Sequence, residues 1–158
     1  MQKKVFVAMS GGIDSSVAAL LLKENGYAVT GVTMCLGIRE DGDRTRCCGL
    51  DAIDDAKHVC DQLQIPHFVF DFAKEMEECV INKFAAEYQR GRTPNPCIDC
   101  NRYLKFGLLF DKARAIGFDY LATGHYARIE KRGESWHLLR PKDKIKDQTY
   151  FLYPIKAG

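Results

Sequence analysis

Short apolar runs alternate with stretches of helical periodicity through the first part of the chain, the pattern of a parallel sheet covered by helices on both faces. Val5-Phe6-Val7-Ala8-Met9 predicts a buried first strand. Ile13, Val17, Leu20 and Leu21 recur at helical spacing and predict a helix that stops at Gly26. Residues 27–34 predict a second strand, and the polar stretch 37–49 is long enough to be a functional loop. Asp51 is placed as the cap of a second helix, with Ala52, Ala56, Val59 and Leu63 as its apolar stripe and Ile65-Pro66 as its end.

His67-Phe68-Val69-Phe70 predicts the third strand, and Met76, Val80, Phe84 and Tyr88 mark the third helix. Residues 91–101 hold Pro94, Pro96 and a CxxC and predict irregular backbone. A helix starting near Tyr103 and carrying Phe106, Leu109, Ala113 and Ile116 follows, then a fourth strand over 119–123. Beyond Gly124 the alternation ends, and 127–130 with 136–140 predict a hairpin closed near Arg132-Gly133. The expected fold class is α/β, a doubly wound parallel sheet with a short C-terminal hairpin.

Composition narrows the class without changing the fold. The chain has 158 residues, 46% of them hydrophobic and 28% charged, which suits one globular domain with a core. The first apolar run is too short for a membrane span and lacks a signal-peptide cleavage site, so neither export nor a membrane partner is expected. Seven cysteines, an odd number, fit a reducing cytoplasm better than a bridged secreted domain. Cys35, Cys60 and Cys79 are expected in the core, which leaves Cys47-Cys48 and Cys97-Ile98-Asp99-Cys100 for chemistry. Charge is uneven: residues 1–87 carry a net −5 and residues 88–158 a net +7. A basic second half suits a polyanionic partner such as nucleic acid, although a solvated surface gives the same count.

The strongest local signal is Ser10-Gly11-Gly12-Ile13-Asp14-Ser15-Ser16, between the first strand and the first helical turn. Open parallel sheets bind ligands at this position. Glycines let backbone N–H groups approach phosphate oxygens, serines add hydroxyls, and the helix start carries partial positive charge. The loop has neither the Lys-Ser/Thr of a Walker A motif nor GxGxxG. It resembles the PP-loop of ATP pyrophosphatases (adenine nucleotide alpha hydrolase-like), which cleave ATP between the α and β phosphates and transfer AMP to a carbonyl oxygen. A Gly-Gly turn serving only strand-to-helix packing is the plain alternative. Asp14 is either a Mg²⁺ contact or a helix cap.

Five further segments occur in order. They are Cys47-Cys48, Ile65-Pro66-His67, the run 91–102 (GRTPNPCIDCNR) continued by Leu104-Lys105-Phe106-Gly107, the run 122–128 (ATGHYAR), and 146–152 (KDQTYFL). Together they resemble the tRNA-specific 2-thiouridylase (MnmA) family. The resemblance implies an ATP-dependent sulfurtransferase that adenylates the C2 carbonyl of a tRNA wobble uridine and replaces its oxygen with persulfide sulfur. Residues 1–126 would form the catalytic PP-loop domain, and 127–158 the hairpin and the start of a tRNA-contacting segment.

The resemblance also assigns residues. Ala8, Met9, Ser10, Gly11, Gly12, Ile13, Asp14 and Ser15 would cradle ATP with Mg²⁺, with Met34 and Gly124 beside the nucleotide. Asn95, Pro96 and Cys97 would meet the target base, while His125, Lys146, Asp147 and Gln148 would touch the tRNA. Cys100 would be the nucleophile. Arg102, Lys105 and a helix start near Tyr103 would favour its thiolate, against the alternative of an inert buried thiol. His125 could equally be a core histidine.

Family members carry a second catalytic cysteine, which takes the persulfide and forms a disulfide with the first, together with central and β-rich C-terminal domains. These are expected beyond Gly158, so the 158 residues alone are expected to be incomplete for full turnover. Sulfur would come from a donor protein or persulfide source. The family holds Asp or Cys at the position of Cys97. Because related PP-loop enzymes use three cysteines for an iron-sulfur cluster, Cys97 and Cys100 are also candidate cluster ligands. The competing readings are a PP-loop synthetase acting on a small molecule, which needs neither the basic half nor the CxxC, and a nucleotide-binding fragment without turnover.

Overall fold

A computed structural model describes residues 2–37 and 50–155. Four strands, β1 (Lys4–Ala8), β2 (Ala28–Cys35), β3 (His67–Asp71) and β4 (Tyr120–Thr123), form one parallel sheet in the order β3-β2-β1-β4. The chain steps outward from β1 to β3, then returns across the sheet to place β4 on the other side of β1. Strand order therefore reverses at β1, and the carboxyl ends of β1 and β4 open a crevice there.

Buried parallel strands need apolar side chains on both faces, and β1 supplies them by alternation. Val5, Val7 and Met9 join Ala19 of α1 (Ile13–Glu24) and Ala56 and Cys60 of α2 (Leu50–Gln62) on one face. Phe6 points the other way, into Val32, Met34, Phe72, Met76, Val80, Leu104 and Leu109. The doubly wound class expected from the sequence is thus the observed one. Phe6 is fully buried, stacks on Phe118 at 4.5 Å between ring centroids, and meets Phe70 edge-on at 5.9 Å. Phe6→Ala is expected to cost about 3–5 kcal/mol of stability. A urea titration checks this, and a loss below about 1 kcal/mol would mean that the face repacks around the cavity.

Three local expectations are corrected. The stripe Ile13, Val17, Leu20 and Leu21 does not face the sheet; Ile13 is 81% exposed, and α1 packs through Ser15, Ala19 and Leu22. The start of α1 lies against the end of β4, where a Cβ on Gly124 would sit 2.6 Å from the Ser15 nitrogen. An approach that close leaves room only for small residues on the facing side of the helix. Asp51 is no cap, since α2 is already helical at Leu50 and Asp51 belongs to its first turn.

Residues 91–101 are not irregular throughout: Asn95 caps α5 (Pro96–Asp99), its side chain accepting from the Cys97 N–H at 3.0 Å. A π-helix (Cys100–Leu109) and α6 (Phe110–Ala115) continue α5 without a break. The fully buried Leu104 and Leu109 are five residues apart, the π-helical interval, so an α-helical stripe through Phe106 misreads the face. A second π-helical stretch (Glu77–Ile81) links α3 (Ala73–Met76) to α4 (Asn82–Gln89). The expected hairpin is present as β5 (Arg128–Arg132) and β6 (Ser135–Leu139). Among the described residues, no helix is long and apolar enough to cross a membrane.

Candidate functional site

A cavity of about 360 Å³ opens at the crevice between β1 and β4, within the range that holds a small-molecule ligand. Its β1 side is Ala8, Met9, Ser10, Gly12, Asp14 and Ser15, and its floor includes Val32, Thr33 and Met34 from β2. Thr123, Gly124 and His125 line it from the end of β4, Gln148 from the segment after the hairpin, and Cys100 and Lys105 from the π-helix. The structure thus brings together most of the residues assigned to ATP. Gly11 and Ile13 are outside the lining.

Their exclusion has a geometric reason. Gly11 has φ +75° and packs toward α2, where an added Cβ would sit 2.7 Å from the Ala52 carbonyl oxygen. It shapes the turn from behind, and Ile13 points to solvent. Ser15 is buried and its hydroxyl donates to the Gly12 carbonyl at 3.0 Å, as does that of Ser16. These two serines brace the loop, and the exposed Ser10 hydroxyl is the one left facing the cavity. Asp14 caps no backbone group in α1; its carboxylate accepts a hydrogen bond from the Tyr126 hydroxyl at 3.0 Å.

The two cysteines of the CxxC part company. Cys100 lines the cavity, whereas Cys97 is exposed and lies outside it with Asn95 and Pro96. Because the helix starts at Pro96, its first-turn N–H groups lie at Cys97 and Ile98, where Asn95 caps them, and Cys100 is a full turn inside. A helix start therefore does not favour the Cys100 thiolate. Arg102 also turns away, exposed and with its guanidinium 5.2 Å over the Tyr103 ring. Asp99, between the cysteines, is buried and holds the Lys83 ammonium at 2.7 Å, a bond that raises the Lys83 pKa. This pair fixes α5 to the preceding helix, and sequence reasoning missed it. An aspartate inside an otherwise apolar helical turn was the available signal.

His125 is largely buried, and its Nδ1 lies 2.7 Å from the Thr123 hydroxyl. Burial pushes its pKa down to about 4, and the Lys105 charge pushes the same way. It is therefore neutral near pH 7 and can present one ring N–H and one lone pair. Below its unfolded pKa of about 6.5 the unfolded chain takes up a proton that the native ring refuses, so this contribution to stability is lost as pH falls from 6.5 toward 4. The expected NMR titration shows the His125 ring unprotonated at pH 5.5. A midpoint near 6.5 would contradict the buried placement.

The segment after the hairpin is tied to the site as well. Gln148 accepts from the Tyr126 N–H at 2.9 Å and donates its own N–H to the Tyr126 carbonyl at 3.1 Å. Lys146 sits 4.9 Å over the Tyr126 ring. Asp147 accepts from the Thr149 N–H and hydroxyl, which lower its pKa, and pairs with Arg140 at 3.2 Å. Cys60 is buried, its thiol pushed up to about 11 mainly by burial, and Cys35 and Cys79 pack in or against the core as expected. Among the described residues, no group of three Cys, His, Asp or Glu could hold a metal ion, so no third cluster ligand joins Cys97 and Cys100. Cys47 and Cys48 lie outside the described residues.

The model of the tRNA methyl transferase HUP domain family matches residues 3–158. The chain belongs to this family. It is 66% identical over 158 residues to tRNA-specific 2-thiouridylase MnmA 1 of Syntrophus aciditrophicus, covering all of this chain and 42% of that protein. It is 55% identical over 156 residues to tRNA-specific 2-thiouridylase MnmA of Clostridium beijerinckii, covering 97% of this chain and 44% of that one. The resemblance read from the five motifs is borne out. The chain spans less than half the length of these curated relatives. Among solved structures, a predicted subunit of tRNA methyltransferase from Methanocaldococcus jannaschii superposes with a TM-score of 0.53 at 20% identity over 84% of this chain and 57% of that one, a likeness of fold alone.

Proposed function

We propose that this chain is the nucleotide-binding, thiol-bearing part of a tRNA 2-thiouridylase. The supporting observation is that Cys100 lines the same cavity as the phosphate-type loop, which lets an activated carbonyl and a sulfur nucleophile meet at one carbon. The names of the relatives point the same way.

In this reading ATP lies with its adenine over Met34 and its phosphates on Ser10, Gly12 and the start of α1. Asp14 is the carboxylate in reach among the described lining residues, and one carboxylate plus phosphate oxygens is an ordinary setting for Mg²⁺. The ion would screen phosphate charge. The uridine, unstacked to reach the crevice, attacks the α phosphorus through its C2 oxygen, and pyrophosphate leaves. A persulfide's terminal sulfur adds at C2 and AMP leaves with the oxygen. The Cys100 thiolate then attacks the inner sulfur, forming a disulfide and freeing 2-thiouridine; a cellular dithiol restores both thiols. The partners are an RNA bearing the uridine, received by the exposed basic residues Arg128, Lys142, Lys144 and Lys146, and a persulfide donor.

Pyrophosphate release from ATP tests the reading. It should depend on added unthiolated tRNA and fall steeply as salt rises. Release driven by a small carboxylic acid or amide would instead support a synthetase, and ATP binding with no release in the full-length protein would leave only a binding module.

A further inference from the structure

The site's phosphate-type loop contains no cation. Among the described residues lining the cavity, the charged side chains are Asp14 and Lys105, and His125 is held neutral. Lys105 is half-buried and lines the cavity, and among the described residues no carboxylate pairs with it. A half-buried cation at the wall of a cavity favours an anionic ligand there.

The backbone explains how it gets there. Cys100 and Lys105 are five residues apart, which on an α-helix would turn them roughly 140° from each other. They stand on a π-helix spanning Cys100–Leu109, whose i→i+5 closure brings positions five apart onto one face. Both therefore reach the same cavity. An ordinary helix would send one of them elsewhere, so the π segment serves to present this thiol and this ammonium together.

We infer that Lys105 binds the α-phosphoryl group of the nucleotide and stays on AMP as it leaves. This rests on the ATP reading above. The sulfur must reach the carbon that carries the C2–O–P linkage, so the phosphate on the Cys100 side is the α one, and the loop across the cavity keeps the other two. The ammonium supplies there the charge that a Walker lysine supplies within its own loop.

Calorimetry with adenosine, AMP and pyrophosphate on wild type, Lys105→Met and Lys105→Arg separates the roles. Wild type should prefer AMP to adenosine, and Lys105→Met should lose about 10- to 100-fold of that preference, the scale of one charge-assisted hydrogen bond. Lys105→Arg should keep most of it, and pyrophosphate affinity should not change. Lys105→Gln, isosteric along most of the stem, repeats the measurement should the methionine variant melt early. An unchanged AMP preference in the folded variants, or a loss falling on pyrophosphate, would overturn the assignment. Wild type that binds none of the three would instead refute the ATP reading itself.

Discussion

Gly124→Ala is expected to lower ATP affinity by about 100-fold or more, the scale of misplacing a binding group by an ångström. A Cβ at this position would lie 2.6 Å from the Ser15 nitrogen and 2.7 Å from the Asp14 carbonyl carbon. Both neighbours are backbone, so neither can swing aside. The end of β4 and the start of α1 must separate, and the loop from Ser10 to Asp14 moves with them. Overpacking of this kind also costs about 1–3 kcal/mol of stability. Gly12→Ala is the control, because its Cβ would come no nearer than 3.5 Å to the Ser10 hydroxyl oxygen. It should melt close to wild type, and any affinity it loses comes from crowding the phosphates. Equal ATP binding in wild type and Gly124→Ala, measured by calorimetry, would show that this close approach does not shape the cavity.

The other large effect concerns the two cysteines of the CxxC. On the proposed function, Cys100→Ser in a protein carrying the whole thiolation machinery is expected to reduce 2-thiouridine formation by about three orders of magnitude, the scale seen when a nucleophile is removed. Its tRNA-dependent pyrophosphate release should persist, since in that proposal the adenylation half-reaction uses the loop and not the thiol. Cys97→Ser should retain most of both activities, because Cys97 is exposed and lies outside the cavity. Mass spectrometry of digested tRNA beside a pyrophosphate assay gives the two readouts. Loss of thiolation in Cys97→Ser equal to that in Cys100→Ser would move Cys97 into the chemistry, and iron in the wild-type protein would then identify a cluster.

How much was legible follows from the range of the interactions involved. Strand and helix order could be read along the chain because it is written in local apolar periodicity, and β1 is buried on both faces as its unbroken run implies. The loop at Ser10 to Ser16 was legible because glycine next to a strand end has few other uses there. Motif order alone placed the chain in its family.

Tertiary structure decided the rest. Which face of α1 is buried was set by the close approach at Gly124, a contact across 109 positions, and not by the stripe through Ile13. The roles of Gly11 and Ser15 as braces depend on Ala52 and on the folded loop itself. The π-helix could not be read from periodicity, because Phe106, Leu109 and Ala113 fit an α-helical spacing equally well until Leu104 and Leu109 are seen buried together. That one change of helical pitch, held in place by packing on the sheet, brings Cys100 and Lys105 to one cavity, because side-chain direction on a helix follows from the turn angle of the backbone and not from the order of residues.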